Sequence, residues 1–241
     1  MDLFLYLVTL LVFVAVFTRE VIAPASGNAC DKRWQIYAGF ISVLQLGVAL
    51  AAGWLFRDWF QQNAFFSLPE SIPNVVAALI AFLIASFIAY WWHRACHASD
   101  LLWRVVHQLH HSPSRIEALT AFYVHPFDGL AANMLNAFVA FVILGETVEV
   151  GALALLIAAV YNIYIHSDTP APRWMGYIVQ RPEMHRIHHK SAWHADNYGL
   201  PIWDLLFGTL NNPQKSNVIC GFSAEKELQI KDMLLLRDVE G

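Results

Sequence analysis

Histidines are the residues in this sequence best suited to chemistry, and all eleven fall between His93 and His194 of a 241-residue chain. Three groups of them are spaced. His93 and His97 form HxxxH; His107, His110 and His111 form HxxHH; and His185, His188 and His189 form HxxHH again, while His125, His166 and His194 stand singly. Residues three and four apart share one helix face, with Cβ atoms about 5–6 Å apart, so two imidazoles of such a pair can converge on one ion. The remaining histidine of each HxxHH can turn toward a second. The histidines of the three groups outnumber the positions of one tetrahedral site, which argues for two metals. By ligand type such a site suits Fe, Zn, Cu or Ni. Taken alone, His125 or His194 reads more simply as a hydrogen-bonded histidine, but three groups in helical register do not.

Other catalytic patterns are missing. No glutamate sits between histidines as in HExxH, and there is no GxSxG, P-loop or GxGxxG, so hydrolytic and dinucleotide chemistry lack support. For a redox metal beside a bilayer this leaves oxygen chemistry on a lipid chain, in which the cofactor performs the hard step while the protein positions the chain and excludes water. Cys30, Cys96 and Cys220 form neither a CxxC pair nor an even disulfide framework. Cys96, inside the first histidine group, is expected to pack as a small hydrophobe.

The bilayer enters through composition. Only 14% of residues are charged and 57% are hydrophobic, against roughly 25% charged in soluble domains. Mean hydropathy is +0.45. The net charge of -4, with no basic block, excludes a nucleic-acid partner. Apolar runs cover 3–17, 36–56 and 75–92, and a span needs about 20 apolar residues, so the second and third qualify and the first is short. Asp2 and the lack of Lys or Arg ahead of the first run favour an anchored helix over a cleaved signal peptide. A fourth block, 129–165, is interrupted by Gly145, Glu146, Glu149 and Gly151 and reads as a helical hairpin, either crossing or shallow. The fold class expected is therefore an all-α integral membrane protein with four to five membrane helices and a histidine-rich helical cap.

Fourteen of the fifteen Lys and Arg lie in connections on one side of this arrangement and only Arg57 on the other. The positive-inside rule puts the N-terminus outside and residues 93–128 and 166–241 in the cytoplasm. Every histidine group then lands on one membrane face. Ser99 and Asp100 are N-cap candidates for a helix over 101–111 ended by Ser112-Pro113, and Pro182 with Glu183 starts the helix carrying His185 to His189. Residues 1–73 are read as N-terminal membrane helices, 74–212 as the catalytic domain and 213–241 as a tail whose apolar patch, Met233 to Leu236, is expected to lie on the membrane.

These histidine groups, together with Thr120-Ala-Phe-Tyr-Val-His125-Pro126, Asn162-Ile-Tyr-Ile-His166-Ser, Asn197-Tyr-Gly199 and Trp203-Asp-Leu-Leu-Phe-Gly-Thr209, resemble the sterol desaturase / fatty acid hydroxylase family over roughly residues 75–212. The chain looks most like compact bacterial members, which are also similar to alkylglycerol monooxygenases. The resemblance implies an O2-dependent di-iron oxidoreductase of the bacterial inner membrane that hydroxylates or desaturates lipids, sterols or carotenoids. It implies His93, His97, His107, His110, His111, His185, His188 and His189 as ligands, with His166 as the ninth. Asn162 stands where some relatives have a further histidine, leaving that position to water held by Asn162, or to His125 or His194. No electron-carrying motif is present, so the resemblance implies a separate donor, either a ferredoxin or cytochrome or a reduced pterin. Asn197 to Gly199 and Trp203 to Thr209 read as a turn and a short helix stopped by Gly208. The competing readings are a metal-transporting or metal-storing membrane protein, and a silent scaffold around structural zinc.

Overall fold

The structure is a computed structural model that describes residues 2–240, without the side chains of Asp2, Leu3, Arg57 and Gln61. The orientation argument from Arg57 therefore rests on a side chain outside the described residues. Long helices dominate: α1 (Asp2–Ile22), α2 (Lys32–Gln62) and α3 (Asn74–Ala98). They are followed by α4 (Asp100–Leu102) and α5 (Gln108–His111), joined through a π-turn at Trp103–His107. Next come α6 (Pro126–Ala137), prolonged by a second π-turn at Phe138–Ile143, and α7 (Val148–His166). Short helices α8 (Pro182–His188), α9 (Pro201–Leu206), α10 (Ala224–Glu227) and α11 (Ile230–Leu234) complete the chain. Among the described residues the β-pairing is an isolated bridge between Lys190 and Cys220.

Five of these helices are long and apolar enough to cross a membrane: Phe4–Ile22, Lys32–Phe56, Asn74–Ala98, Pro126–Ile143 and Val148–His166. This is an all-α integral membrane protein. The first span runs past the short apolar stretch seen in sequence because Glu20, near its end, is fully buried and satisfied. The Glu20 carboxylate accepts the Ala118 and Asp168 N–H groups at 2.9 and 2.8 Å. The last two spans are 18 and 19 residues, about 27–29 Å at 1.5 Å per residue, close to the roughly 30 Å hydrocarbon thickness. Their turn is closed by Gly145 at φ +63, where a Cβ would sit 2.0 Å from the Phe66 carbonyl.

The central packing joins α3 to α7 and α6. Ala77, Ala78, Ala81 and Ala85 of α3 face Val139, Val150 and Ala154. Lipid tails are as apolar as these side chains, so the association depends on close approach, which small residues permit. A second cluster, with Trp34, Ala38 and Ile41 of α2 around Leu109, Tyr123 and Met233, fastens the tail beneath the cap. The expectation that Met233 to Leu236 lies on the membrane is therefore corrected: Met233 is fully buried against α2, and only Leu235 is strongly exposed. The tail also clamps α5, because Gln108 donates to the Arg237 carbonyl at 2.7 Å and accepts from the Val239 N–H at 3.3 Å.

Candidate metal centre

The histidine-bearing ends of α3 and α7 emerge on the same side of the helix bundle, and the chain between α3 and α6 and after α7 builds a cap over them. Two groups of imidazoles form there. His93, His97, His107, His111 and His188 make one, and His110, His166, His185 and His189 the other; within each, one nitrogen per ring lies within 4.8 Å of all the others.

The sequence spacing is divided between the two groups in a regular way. In each HxxHH the i and i+4 histidines enter one group and the i+3 histidine crosses to the other, so His188 joins His107 and His111 while His110 joins His185 and His189. The groups are side by side, with the His111 and His189 rings stacked at 4.1 Å between centroids. The π-turn before α5, whose Gln108 N–H bonds to the Trp103 carbonyl, adds a residue to the helix and so sets which way His107 to His111 project. Single π-turns of this kind recur at functional sites. The sequence reading gave an uninterrupted helix over 101–111, and side-chain periodicity has no means of registering the inserted residue.

Outer hydrogen bonds fix the tautomers. His93 Nδ1 lies 2.7 Å from the Tyr198 carbonyl and His188 Nδ1 2.9 Å from that of Asp196. His166 Nδ1 lies 2.8 Å from the Asn162 carbonyl and His110 Nδ1 3.3 Å from that of Tyr123. A carbonyl only accepts, so each Nδ1 carries the proton and each Nε2 presents a lone pair to its group. His107 Nδ1 approaches the Asp128 carboxylate at 3.4 Å, and Asp128 is itself held by the Trp92 indole N–H at 3.2 Å. In the first group the Nε2 atoms of His93, His97, His107, His111 and His188 are buried and have no hydrogen-bond partner. In the second, Nε2 of His166 lies 3.2 Å from that of His110 and 2.8 Å from that of His185, which is 3.1 Å from that of His189. Facing lone pairs of His110 and His166 at that range repel unless a cation sits among them. Ligands at 2.0–2.1 Å from a metal would stand about 2.8–3.4 Å apart at right-angled or tetrahedral positions. These residues fit a divalent cation in each group.

Protonation agrees. Burial, followed by repulsion from neighbouring imidazoles, holds His110, His111, His185 and His189 well below the usual histidine range. Burial and the nearby His93 ring do the same to His188. Neutral imidazole is the form that binds metal.

Three other candidates lie outside both groups. His125 caps α6, its Nδ1 accepting the Phe127 N–H at 3.2 Å, while its Nε2 meets the Leu234 carbonyl at 3.3 Å. The Asn162 carboxamide donates to the Ala121 carbonyl at 2.7 Å, so this residue touches the centre only through its own carbonyl on His166. His194 is exposed at the rim, its Nδ1 3.3 Å from that of His97. Cys96 is buried and outside the groups.

Sequence reasoning missed the supports. Asp128 could have been noticed three residues after His125 in the first turn of α6. The loop that offers its carbonyls to His93 and His188 carries Asp196 and Asn197 at φ +66 and +54. Asn197 holds this shape by donating to the Met184 and Asn211 carbonyls, each at 2.9 Å. Asp204 of α9 accepts the Tyr198 and Gly199 N–H groups at 2.8 and 3.1 Å and the Thr209 hydroxyl at 2.7 Å. Burial pushes its carboxyl up to about 6.

Comparison with known proteins gives a family match over residues 78–209, to the model described as fatty acid hydroxylase. A very-long-chain aldehyde decarbonylase of Oryza sativa subsp. indica is 26% identical over 174 residues, 68% of this chain and 66% of that protein. A sphingolipid C4-hydroxylase of Schizosaccharomyces pombe is 26% identical over 155 residues, 61% and 53% of the two chains. An ornithine lipid hydroxylase of Rhizobium tropici is 31% identical over 155 residues, 61% and 45%. The chain thus spans less than two thirds of the length of these relatives. No solved structure matches.

Proposed function

The chain belongs to the fatty acid hydroxylase family, and from that premise we propose that it oxidises a C–H bond of a membrane lipid with O2. The centre we assign is a pair of iron ions, with His93, His97, His107, His111 and His188 on one and His110, His166, His185 and His189 on the other. The observation that carries this reading is the set of five buried, unpartnered Nε2 atoms converging in the first group.

Bound iron would supply oxygen activation and removal of hydrogen from an unactivated carbon. The chain's own work is placement. The carbonyls of Tyr198, Asp196, Asn162 and Tyr123 hold the Nδ1 protons of His93, His188, His166 and His110, so that every Nε2 stays free to ligate. Asp128 does the same for His107. Burial of the second group, all four members of it, keeps water from competing with substrate. The spans deliver the lipid from the bilayer to the same face.

Hydroxylation of R–H consumes O2, two electrons and two protons and yields R–OH and water, and the electrons come from a separate donor, a redox protein or a reduced pterin. We place the centre on the cytoplasmic face because fourteen of the fifteen Lys and Arg lie in connections on its side of the spans, and in a bacterial inner membrane because of the resemblance to compact bacterial members. The relatives named above act on very-long-chain aldehydes, sphingolipids and ornithine lipids, which supports a lipid substrate and leaves hydroxylation as the reading tested first. Metal transport calls for polar ligands near the bilayer midplane, whereas these imidazoles cluster at the helix ends.

The test is lipid mass spectrometry of cells with and without the protein under O2, paired with metal analysis of purified protein. The expected result is a product heavier by one oxygen, two metal ions per chain, and loss of both in His107→Ala and His188→Ala. Folded wild-type protein that takes up no metal when supplied with iron would overturn the reading.

A further inference from the structure

We propose that α9 and the turn at 173–177 are inserted into the lipid layer beside α3, as a lateral apron at the acyl chain to headgroup boundary. The two segments lie against each other. Together with the adjoining Ile178 they expose Trp174, Tyr177, Ile202, Leu205 and Leu206, with Ile178 and Leu205 each 67% accessible.

Depth is the first argument. The Trp203 indole N–H donates to the Ser86 hydroxyl at 2.9 Å, and its ring meets Phe87 at 5.0 Å. Phe207 packs on Trp91 at 4.8 Å. These partners belong to the membrane-spanning Asn74–Ala98, and Ser86 precedes His93 by about 10 Å of helix. An element fastened there sits beside hydrocarbon.

Polarity is the second argument. Around α9 the backbone donors are satisfied internally, Trp203 and Asp204 on the Leu200 carbonyl, Phe207 on that of Trp203 and Thr209 on that of Asp204. The charged side chain of the helix, Asp204, is buried and turned toward the Tyr198 loop. A helix facing water turns its charges outward; this one turns its charge in and its aliphatic residues out, as a lipid environment demands.

Charge at the rim is the third argument. Arg94, at the headgroup end of α3, lies over the Trp91 ring at 5.1 Å and donates to the Tyr90 hydroxyl, with no ion pair among the described residues. Arg173 begins the exposed turn. Two guanidinium groups bordering an apolar face match lipid phosphates above acyl chains.

The test places a fluorescent label at Leu205→Cys and, separately, at Glu225→Cys, an exposed position of α10, with the full-length protein in nanodiscs. Cys96 and Cys220 are buried and Cys30 is half-buried, so the unsubstituted protein gives the background labelling. Lipids brominated along the acyl chain should quench the 205 label several-fold more than the 225 label, and aqueous iodide should show the reverse order. Equal iodide quenching at both positions would overturn the proposal. So would a 205 label shielded from both quenchers, because that places protein, such as a second copy of the chain, over the face. Trp174→Cys reads the same layer should Leu205→Cys fail to fold.

Discussion

Replacing Asp128 by Asn changes one oxygen to NH2 yet should impair the first metal group more than deleting the side chain. In the native protein the Asp128 carboxylate, 3.4 Å from His107 Nδ1, favours the tautomer protonated at Nδ1 and leaves Nε2, buried and unpartnered, for the metal. The Trp92 indole N–H already points at the other carboxylate oxygen at 3.2 Å, so an Asn there keeps its oxygen toward Trp92 and its NH2 toward His107. Two donors then face each other. The relief is a proton shift to Nε2, which removes one of the five nitrogens gathered in this group. Loss of such supporting partners typically costs 10–100-fold in metal affinity, which corresponds to about 1.4–2.8 kcal/mol. In Asp128→Ala neither tautomer is opposed, and choosing one of two costs only a factor of about two, roughly 0.4 kcal/mol, plus the lost polarisation of the ring. Competition with a graded series of chelators, read as metal retained per chain, should rank wild type, Asp128→Ala, Asp128→Asn in falling affinity. If Asp128→Ala proves the weaker binder, Asp128 acts by filling space and the tautomer argument is wrong.

Other consequences can be checked on the same preparations. Stripped of metal, the protein should lose stability as pH falls below about 6.5. The unfolded chain takes up protons there while His110, His111, His185, His188 and His189 stay neutral in the fold. Each such group contributes a slope of about 1.4 kcal/mol per pH unit below that pH and nothing further above it; denaturation midpoints in detergent that do not move between pH 7 and 5 would contradict this. His125→Ala should keep its full metal content and lose about 1 kcal/mol through the missing cap on α6, measured by metal analysis beside thermal melting. Gly221→Ala should destabilise the fold by about 1–3 kcal/mol, because Gly221 has φ +72 and an added Cβ would meet the Pro113 carbonyl oxygen at 2.2 Å; an unchanged melting temperature would show that this connection yields freely.

Much of this protein is written locally. The apolar runs mark the spans because a bilayer imposes a length that any sequence window can measure. The i, i+3, i+4 histidines announce paired ligands because helix geometry puts them on one face whatever the surroundings. Sequence alone thus determined the membrane class and the helical cap, and spacing marked the eight histidines of the three motifs, whereas His166, which the structure gathers with His110, His185 and His189, stands singly in the sequence and entered only through the family resemblance.

The division of those histidines was a tertiary outcome. That His188 leaves its neighbours to join His107 and His111, while His110 goes the other way, depends on how α5 and α8 face each other, and on a π-turn whose extra residue leaves no mark in the apolar pattern. The supporting groups were hidden for a related reason: most are backbone carbonyls, which every residue possesses. The carbonyls of Tyr123, Asn162, Asp196 and Tyr198 acquire their role only from position. Met233, apolar enough for either a membrane surface or a protein core, went to the core. Hydropathy reports the aversion to water, and only the packed fold decides which apolar neighbour satisfies it.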